Sequence, residues 1–185
     1  MKSRAMLAAL AASLLFTGVM SPAMAQAPSA PTSQDYKLGV SDKVRITVYN
    51  EPTLSGEFPV NANGAIAVPL IGDVTAGGRT STELARDIET RLADGLLRDP
   101  KVSIDVTTFR PFYILGEVNK PGEYPYSTGL SVFNAVATAQ GFTYRADKKR
   151  VYIKSAGETD EVRQKLDPGA MVKPGDTIRI GERYF

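Results

Sequence analysis

"LGVSDKVRI" at 38–46 and "VKPGDTIRI" at 172–180 are near copies of each other. Laid one over the other, Asp42 meets Asp176, Val44 meets Ile178, Arg45 meets Arg179 and Ile46 meets Ile180. In each, a Ser-Asp or Gly-Asp turn launches a short strand. Asp can bond its own backbone and fix such a turn. Val44/Ile46 and Ile178/Ile180 then face a core, while Arg45 and Arg179 fall on the outer face. The likeness is either an internal duplication or convergence on good turn chemistry. The flanking sequence does not repeat.

Between the copies, the pattern divides into two units. "VRITVY" (44–49) alternates apolar and polar residues, as a half-buried strand does. "EFPV" and "AIAV" flank Asn63-Gly64, which tolerates positive φ at both turn positions and predicts a two-residue hairpin. "PLIGDV" (69–74) reads as a third extended piece. "TSTELARDIETRLADG" (80–95) predicts a helix. Thr80 and Glu83 form a capping box, and Leu84, Ile88 and Leu92 share one face. Asp87 and Arg91 can pair on the other face, and Gly95 supplies the stop. "KVSIDVTTF" (101–109) alternates again, with Val102, Ile104 and Val106 inward. This order predicts an α+β sandwich over residues 36–109.

The second unit begins at Arg110. "FYILGEV" is extended, and "NKPGEY" (119–124) predicts a type II turn with Pro121 presetting φ and Gly122 at positive φ. "LSVFNAVATAQG" (130–141) reads as a helix stopped by Gly141. "RVYIK" and the second copy are strands, and "VRQKL" is a candidate third. The unit, residues 110–185, is β-grasp-like. From Tyr124 to Tyr144 no residue carries a charge. Leu130, Val132, Phe133 and Val136 spread around the helix, and a helix apolar on several faces is buried on several faces. A small domain has little interior for that, so these four are the candidate subunit interface, with interdomain packing as the alternative.

The start of the chain carries its own signal. A basic "MKSR", an uncharged apolar run and "SPAMA", with Ala23 and Ala25 before Gln26, form a secretory signal peptide over residues 1–25. Residues 26–35, "QAPSAPTSQD", read as a flexible leader. Lys2 and Arg4 leave with the signal, so the 22 basic residues fall to equal the 20 acidic ones. A neutral mature chain gives no bulk electrostatic case for nucleic acid.

Composition also limits the chemistry. The chain contains no His and no Cys. Ser-His-Asp and Cys-His nucleophile systems are impossible, and zinc would need an all-carboxylate site. Nor can a lipid be attached at a mature N-terminal Cys. "GGRTST" (77–82) precedes a helix but lacks the Gly-Lys-Ser/Thr ending of a phosphate loop. A carboxylate pair such as Asp73 and Glu117 could in principle hydrolyse a glycoside, but ordinary turn and surface positions account for both. These absences remove most catalytic options, and no cofactor and no metal are expected. "RADKKR" (145–150) is a basic cluster, and Lys148, Lys149 and Arg150, with Arg45, are candidate contacts for a polymer or an acidic partner.

These stretches resemble a known family. "YKLGVSDKVRI", the "LSG" at 54–56, Asn63-Gly64, "PLIG" at 69–72, "GRT" before the helix and Pro100-x-Val102 resemble the polysaccharide export domain of outer-membrane polysaccharide export proteins. "ILGEVNKPGEYPY", "VFNAVATAQGFTYRAD" and "VKPGDTIRI" resemble the SLBB (soluble-ligand-binding β-grasp) domain that follows it in that family. The positions that carry the motifs are Gly39, Asp42, Asn63, Gly64, Gly72, Gly116, Pro121, Gly122, Gly175 and Asp176.

The resemblance implies a non-enzymatic periplasmic component, associated with the outer membrane, of capsular or extracellular polysaccharide export. It implies a homo-oligomeric ring working with an inner-membrane polysaccharide co-polymerase. There are departures: no lipidated Cys, no C-terminal amphipathic helix, Val40-Ser41-Asp42 where Pro-Gly-Asp is usual, and Ala139-Gln140-Gly141 where Ala-Gly-Gly is frequent. They imply a short, non-lipidated member that uses a separate outer-membrane channel. A monomeric periplasmic carbohydrate-binding module is the alternative, and would bind a soluble oligosaccharide without assembling.

Overall fold

The computed structural model describes residues 36–183. The expected signal peptide and leader lie outside the described residues. The first copy of the repeated stretch forms strand β1 (Lys43–Val48), which lies between β2 (Gly56–Pro59) and β5 (Val102–Thr108), antiparallel to both. A separate hairpin, β3 (Ala65–Val68) with β4 (Gly72–Thr75), and helix α1 (Ser81–Ala93) complete the unit. Val44, Ile46, Ile66, Val74, Leu84, Ile88 and Leu92 are fully buried together. Each such side chain contributes roughly 1.5–3 kcal/mol through burial.

Helix α1 forms as its sequence predicts. The Glu83 N–H donates to Thr80 Oγ1 and the Thr80 N–H donates to the Glu83 carboxylate, closing the capping box. Those bonds from Thr80 hold the Glu83 carboxyl below its ordinary value. Asp87 and Arg91 pair along the exposed face, and Asp87 also holds Arg79. Gly95 takes positive φ just past the helix.

The second copy forms strand β10 (Thr177–Ile180), also central in its sheet. The sheet runs β7-β6-β10-β8-β9, with β6 at Phe112–Gly116, β7 at Gly122–Tyr124, β8 at Arg150–Lys154 and β9 at Val162–Lys165. Strand β10 is parallel to β6 and antiparallel to β8. Helix α2 (Val132–Thr138), capped by Ser131, packs on this sheet. The whole is α+β: a small sandwich followed by a mixed sheet with one helix. β1 has two antiparallel neighbours and β10 has one, so the two copies share a turn and a burial pattern but not a topology.

Three local expectations are corrected. Asn63-Gly64 does not close a two-residue hairpin between "EFPV" and "AIAV": β2 pairs with β1, and β3 pairs with β4. Only Gly64 has positive φ. The loop is organised by Asn61, whose side chain accepts from the N–H groups of Asn63 and Ala65. The Gly64 carbonyl then accepts from the Ala76 and Gly77 N–H groups just after β4. "PLIGDV" is not continuous extended chain, because Pro69–Ile71 forms the β3–β4 turn, with Leu70 at positive φ. Gly122 is not the positive-φ residue of a type II turn: it opens β7 opposite Ile114. The loop before it is tied outward, the Asn119 and Lys120 N–H groups donating to the Gly141 and Ala139 carbonyls at the end of α2.

Gly116 supplies the left-handed residue at the end of β6. A Cβ there would overlap the Ile180 carbonyl of the neighbouring strand, whereas a Cβ at Gly72, also at positive φ, meets nothing within 4 Å. Gly116→Ala should therefore cost more than about 2 kcal/mol, and Gly72→Ala only about 1 kcal/mol. Urea unfolding of the two variants checks this order, and equal costs would contradict the contact.

Candidate functional site

The two repeated turns meet at the junction between the units. In the first, the Asp42 N–H donates to the Gly39 carbonyl at 3.1 Å, and the Gly39 N–H donates back to Asp42 Oδ2 at 2.7 Å. In the second, the Asp176 N–H donates to the Lys173 carbonyl at 3.1 Å, and the Lys173 N–H donates to Asp176 Oδ2 at 2.8 Å. Ser41 and Gly175, the residues before each Asp, have φ of 74° and 83°. A third-position residue in that region is what a type II turn requires. Gly adopts it without strain; Ser41 does so at a cost of roughly 1–2 kcal/mol.

The carboxylates differ in their second oxygen. Both side chains are buried. Asp42 Oδ2 also accepts from the Tyr36 hydroxyl at 2.7 Å, and Oδ1 accepts from the Arg110 N–H at 2.8 Å. Asp176 Oδ1 has no hydrogen-bond partner of good geometry. Burial pushes the Asp176 carboxyl above its ordinary value; the Lys173 N–H and charge, then Ser155 and the Ala156 N–H, only partly offset it. Burial, then the bond to Asp42, raises the Tyr36 hydroxyl far above its usual range.

Arg110 joins the turns. Its N–H is held by Asp42, and its Nε donates to the Pro174 carbonyl of the second turn at 3.0 Å. Its guanidinium lies over the Tyr36 ring and fills the space a side chain at Gly39 would need. Beside it, Tyr36, Phe109 and Tyr126 make a run of edge-to-face contacts from the first unit into the second, with centroids 5.0 and 5.4 Å apart. An open cleft of about 700 Å³ lies along this junction, lined by Lys37, Gly39, Arg110, Tyr113, Glu123 and Gly175 among others.

The other sequence candidates lie elsewhere. Arg45 pairs with Glu57 across the β1–β2 ladder at 2.8 Å. Arg179 pairs with Glu161, just before β9, and stacks over its ladder partner Tyr152 on β8. In the basic cluster, Asp147 accepts from the Lys149 N–H and pairs with Arg150. Burial raises the Asp147 carboxyl, but those two donors outweigh it and hold it below its ordinary value. Lys148 lies over the Phe142 ring. The cluster is thus knitted locally rather than being a bare cationic patch. Leu130, Val132 and Val136 are in the core of the second unit, and Phe133 alone of the four is exposed, at 39%. The charge-free helix is short, and its own sheet covers most of it.

Sequence reasoning placed the unit boundary at Arg110 but missed its role. The signal was there: an Arg before Pro111 is held extended, in the short link between β5 and β6. Among the described residues no group of His, Cys, Asp and Glu could hold a metal ion.

A small α+β sandwich joined at this junction to a mixed five-stranded sheet defines a two-module chain. Residues 30–107 match the family described as polysaccharide biosynthesis/export protein, and residues 111–164 match the SLBB domain. The chain thus carries an export domain followed by an SLBB domain, an arrangement consistent with the outer-membrane polysaccharide export family. It is 35% identical over 151 residues to the exopolysaccharide production protein ExoF of Rhizobium meliloti (strain 1021), covering 73% of this chain and 36% of that protein. It is 25% identical over 109 residues to the polysialic acid transport protein KpsD of Escherichia coli, covering 58% of this chain and 20% of that one. The chain therefore spans about a third and a fifth of the lengths of these two relatives.

The two turn carboxylates should respond differently to amidation. Asp42→Asn replaces one accepting oxygen with a donor and sets it against the Arg110 or Gly39 N–H. It should cost about 2–3 kcal/mol. Asp176→Asn can keep the well-formed bond from the Lys173 N–H on its amide oxygen and should be nearly neutral or stabilising at pH 7. A raised folded value means that Asp176 contributes stability below its ordinary value of 3.8, and that this is lost as pH rises through the folded value. Asp176→Asn should therefore gain relative to the unaltered chain between pH 4 and pH 7. Urea unfolding at both pH values checks this, and a gain at pH 4 lost at pH 7 would contradict it.

Proposed function

We propose that this chain is a non-catalytic subunit of a polysaccharide export machine, acting in the periplasm at the outer membrane. The carrying observation is the pairing of an export domain with an SLBB domain in one chain. The names of the relatives, an exopolysaccharide production protein and a polysialic acid transport protein, support the same class of cargo.

Copies of the chain assemble as a ring, and the ring works with an inner-membrane co-polymerase that supplies the polymer. The signal peptide at residues 1–25 exports the chain. The clamp at Arg110 suits this role, because a ring needs subunits whose two domains hold one angle. Exposed Phe133 on α2 and Val162 on the edge strand β9 offer apolar contact to a neighbouring copy.

Deleting the gene should abolish the surface or secreted polysaccharide. The full-length gene should restore it, and a version lacking residues 1–25 should not. Normal polymer in the deletion strain, with no second copy of the gene present, would overturn this function and favour a carbohydrate-binding module.

A further inference from the structure

We propose that the cleft between the two domains is a binding subsite for a carboxylate-bearing sugar unit. The cations are the first argument. Arg110 lines the cleft, and its guanidinium uses Nε on Pro174 while taking part in no ion pair among the described residues. Lys37, exposed on the rim, is in no ion pair either, although its charge reaches Glu83. Six arginines, Arg45, Arg79, Arg91, Arg145, Arg150 and Arg179, pair with acidic residues, whereas Arg110 is held in the cleft wall by the Tyr36 ring and the Pro174 carbonyl instead. A guanidinium fixed by packing and left without a carboxylate is pre-set to take one from a ligand.

The remaining lining suits a sugar more than a bare ion. Tyr113 presents a partly exposed ring on the wall. An aromatic face and a polar tip are what a pyranose ring uses for stacking and hydrogen bonding. Glu123, directly opposite Tyr113 in the β6–β7 ladder, is an acceptor for hydroxyl groups. Gly39 and Gly175 leave room for the Arg110 side chain, which occupies the space their side chains would take and so lies in the cleft wall. A volume of about 700 Å³ holds a short oligosaccharide segment rather than a single small anion.

The subsite rests on the export reading, and the two can fail separately. The test is calorimetric titration of the full chain, at low ionic strength, with tetragalacturonate, maltotetraose and inorganic phosphate. Tetragalacturonate should bind about tenfold more tightly than neutral maltotetraose, and salt should weaken it. Lys37→Glu should weaken it about tenfold, and Tyr113→Ala several-fold. Both residues are exposed and make no side-chain hydrogen bond, so thermal unfolding should be unchanged in each variant. No binding of tetragalacturonate, equal binding of maltotetraose, phosphate binding as tightly as the oligosaccharide, or indifference to both substitutions would each overturn the subsite. If the deletion strain loses its polymer while these titrations fail, export stands and the cleft is not the subsite.

Discussion

A single buried carboxylate collects donors from three parts of the chain. Asp42 accepts from the Gly39 N–H in its own turn, from the Tyr36 hydroxyl before it and from the Arg110 N–H 68 positions later. Burying a carboxylate is costly unless its oxygens are hydrogen-bonded. The third donor is the residue that joins the two domains, so satisfying Asp42 also fixes where the second domain starts. Arg110 then extends the constraint by donating from Nε to Pro174, inside the turn that launches β10. Each central strand thus leaves from a turn that touches the same arginine.

That arrangement gives the repeated sequence a physical meaning. The two stretches need the same Asp-closed turn because each must start the central strand of a sheet at one place, the junction. They do not need the same neighbours, and they do not have them: β1 lies between antiparallel strands, while β10 has one parallel partner. The unequal environments of Asp42 and Asp176 follow from the geometry. Arg110 gives its N–H to Asp42 in one turn and only its side chain, on Pro174, to the other, while Asp176 Oδ1 has no partner of good geometry. The export and SLBB domains are in this way held by polar contacts and three aromatic rings instead of a shared core; their two buried clusters stay separate.

What the sequence made legible was local. The capping box at Thr80 and Glu83, the Leu84-Ile88-Leu92 stripe and the alternation in β1 and β10 each lie within one element. Where a residue's role depends on a distant partner, the reading went astray or stopped short. Asn63-Gly64 looked like a tight hairpin because the competing bonds, from Ala76 and Gly77 to Gly64, come from a later segment. Gly122 looked like a turn residue because the anchoring of Asn119 and Lys120 to the end of α2 is invisible in the local pattern. Leu130, Val132 and Val136 looked in excess of what a small domain could bury, yet the five-stranded sheet covers them. Arg110 was visible only as a boundary, since its partners lie 64 and 68 positions away.

The central claim is that Arg110 makes one rigid body of two domains. Residual dipolar couplings measured on the full chain and on Arg110→Gln test it directly. A single alignment tensor should fit both domains of the unaltered chain, and two different tensors should be needed for the variant. Two tensors in the unaltered chain, or a single unchanged tensor in the variant, would contradict the account.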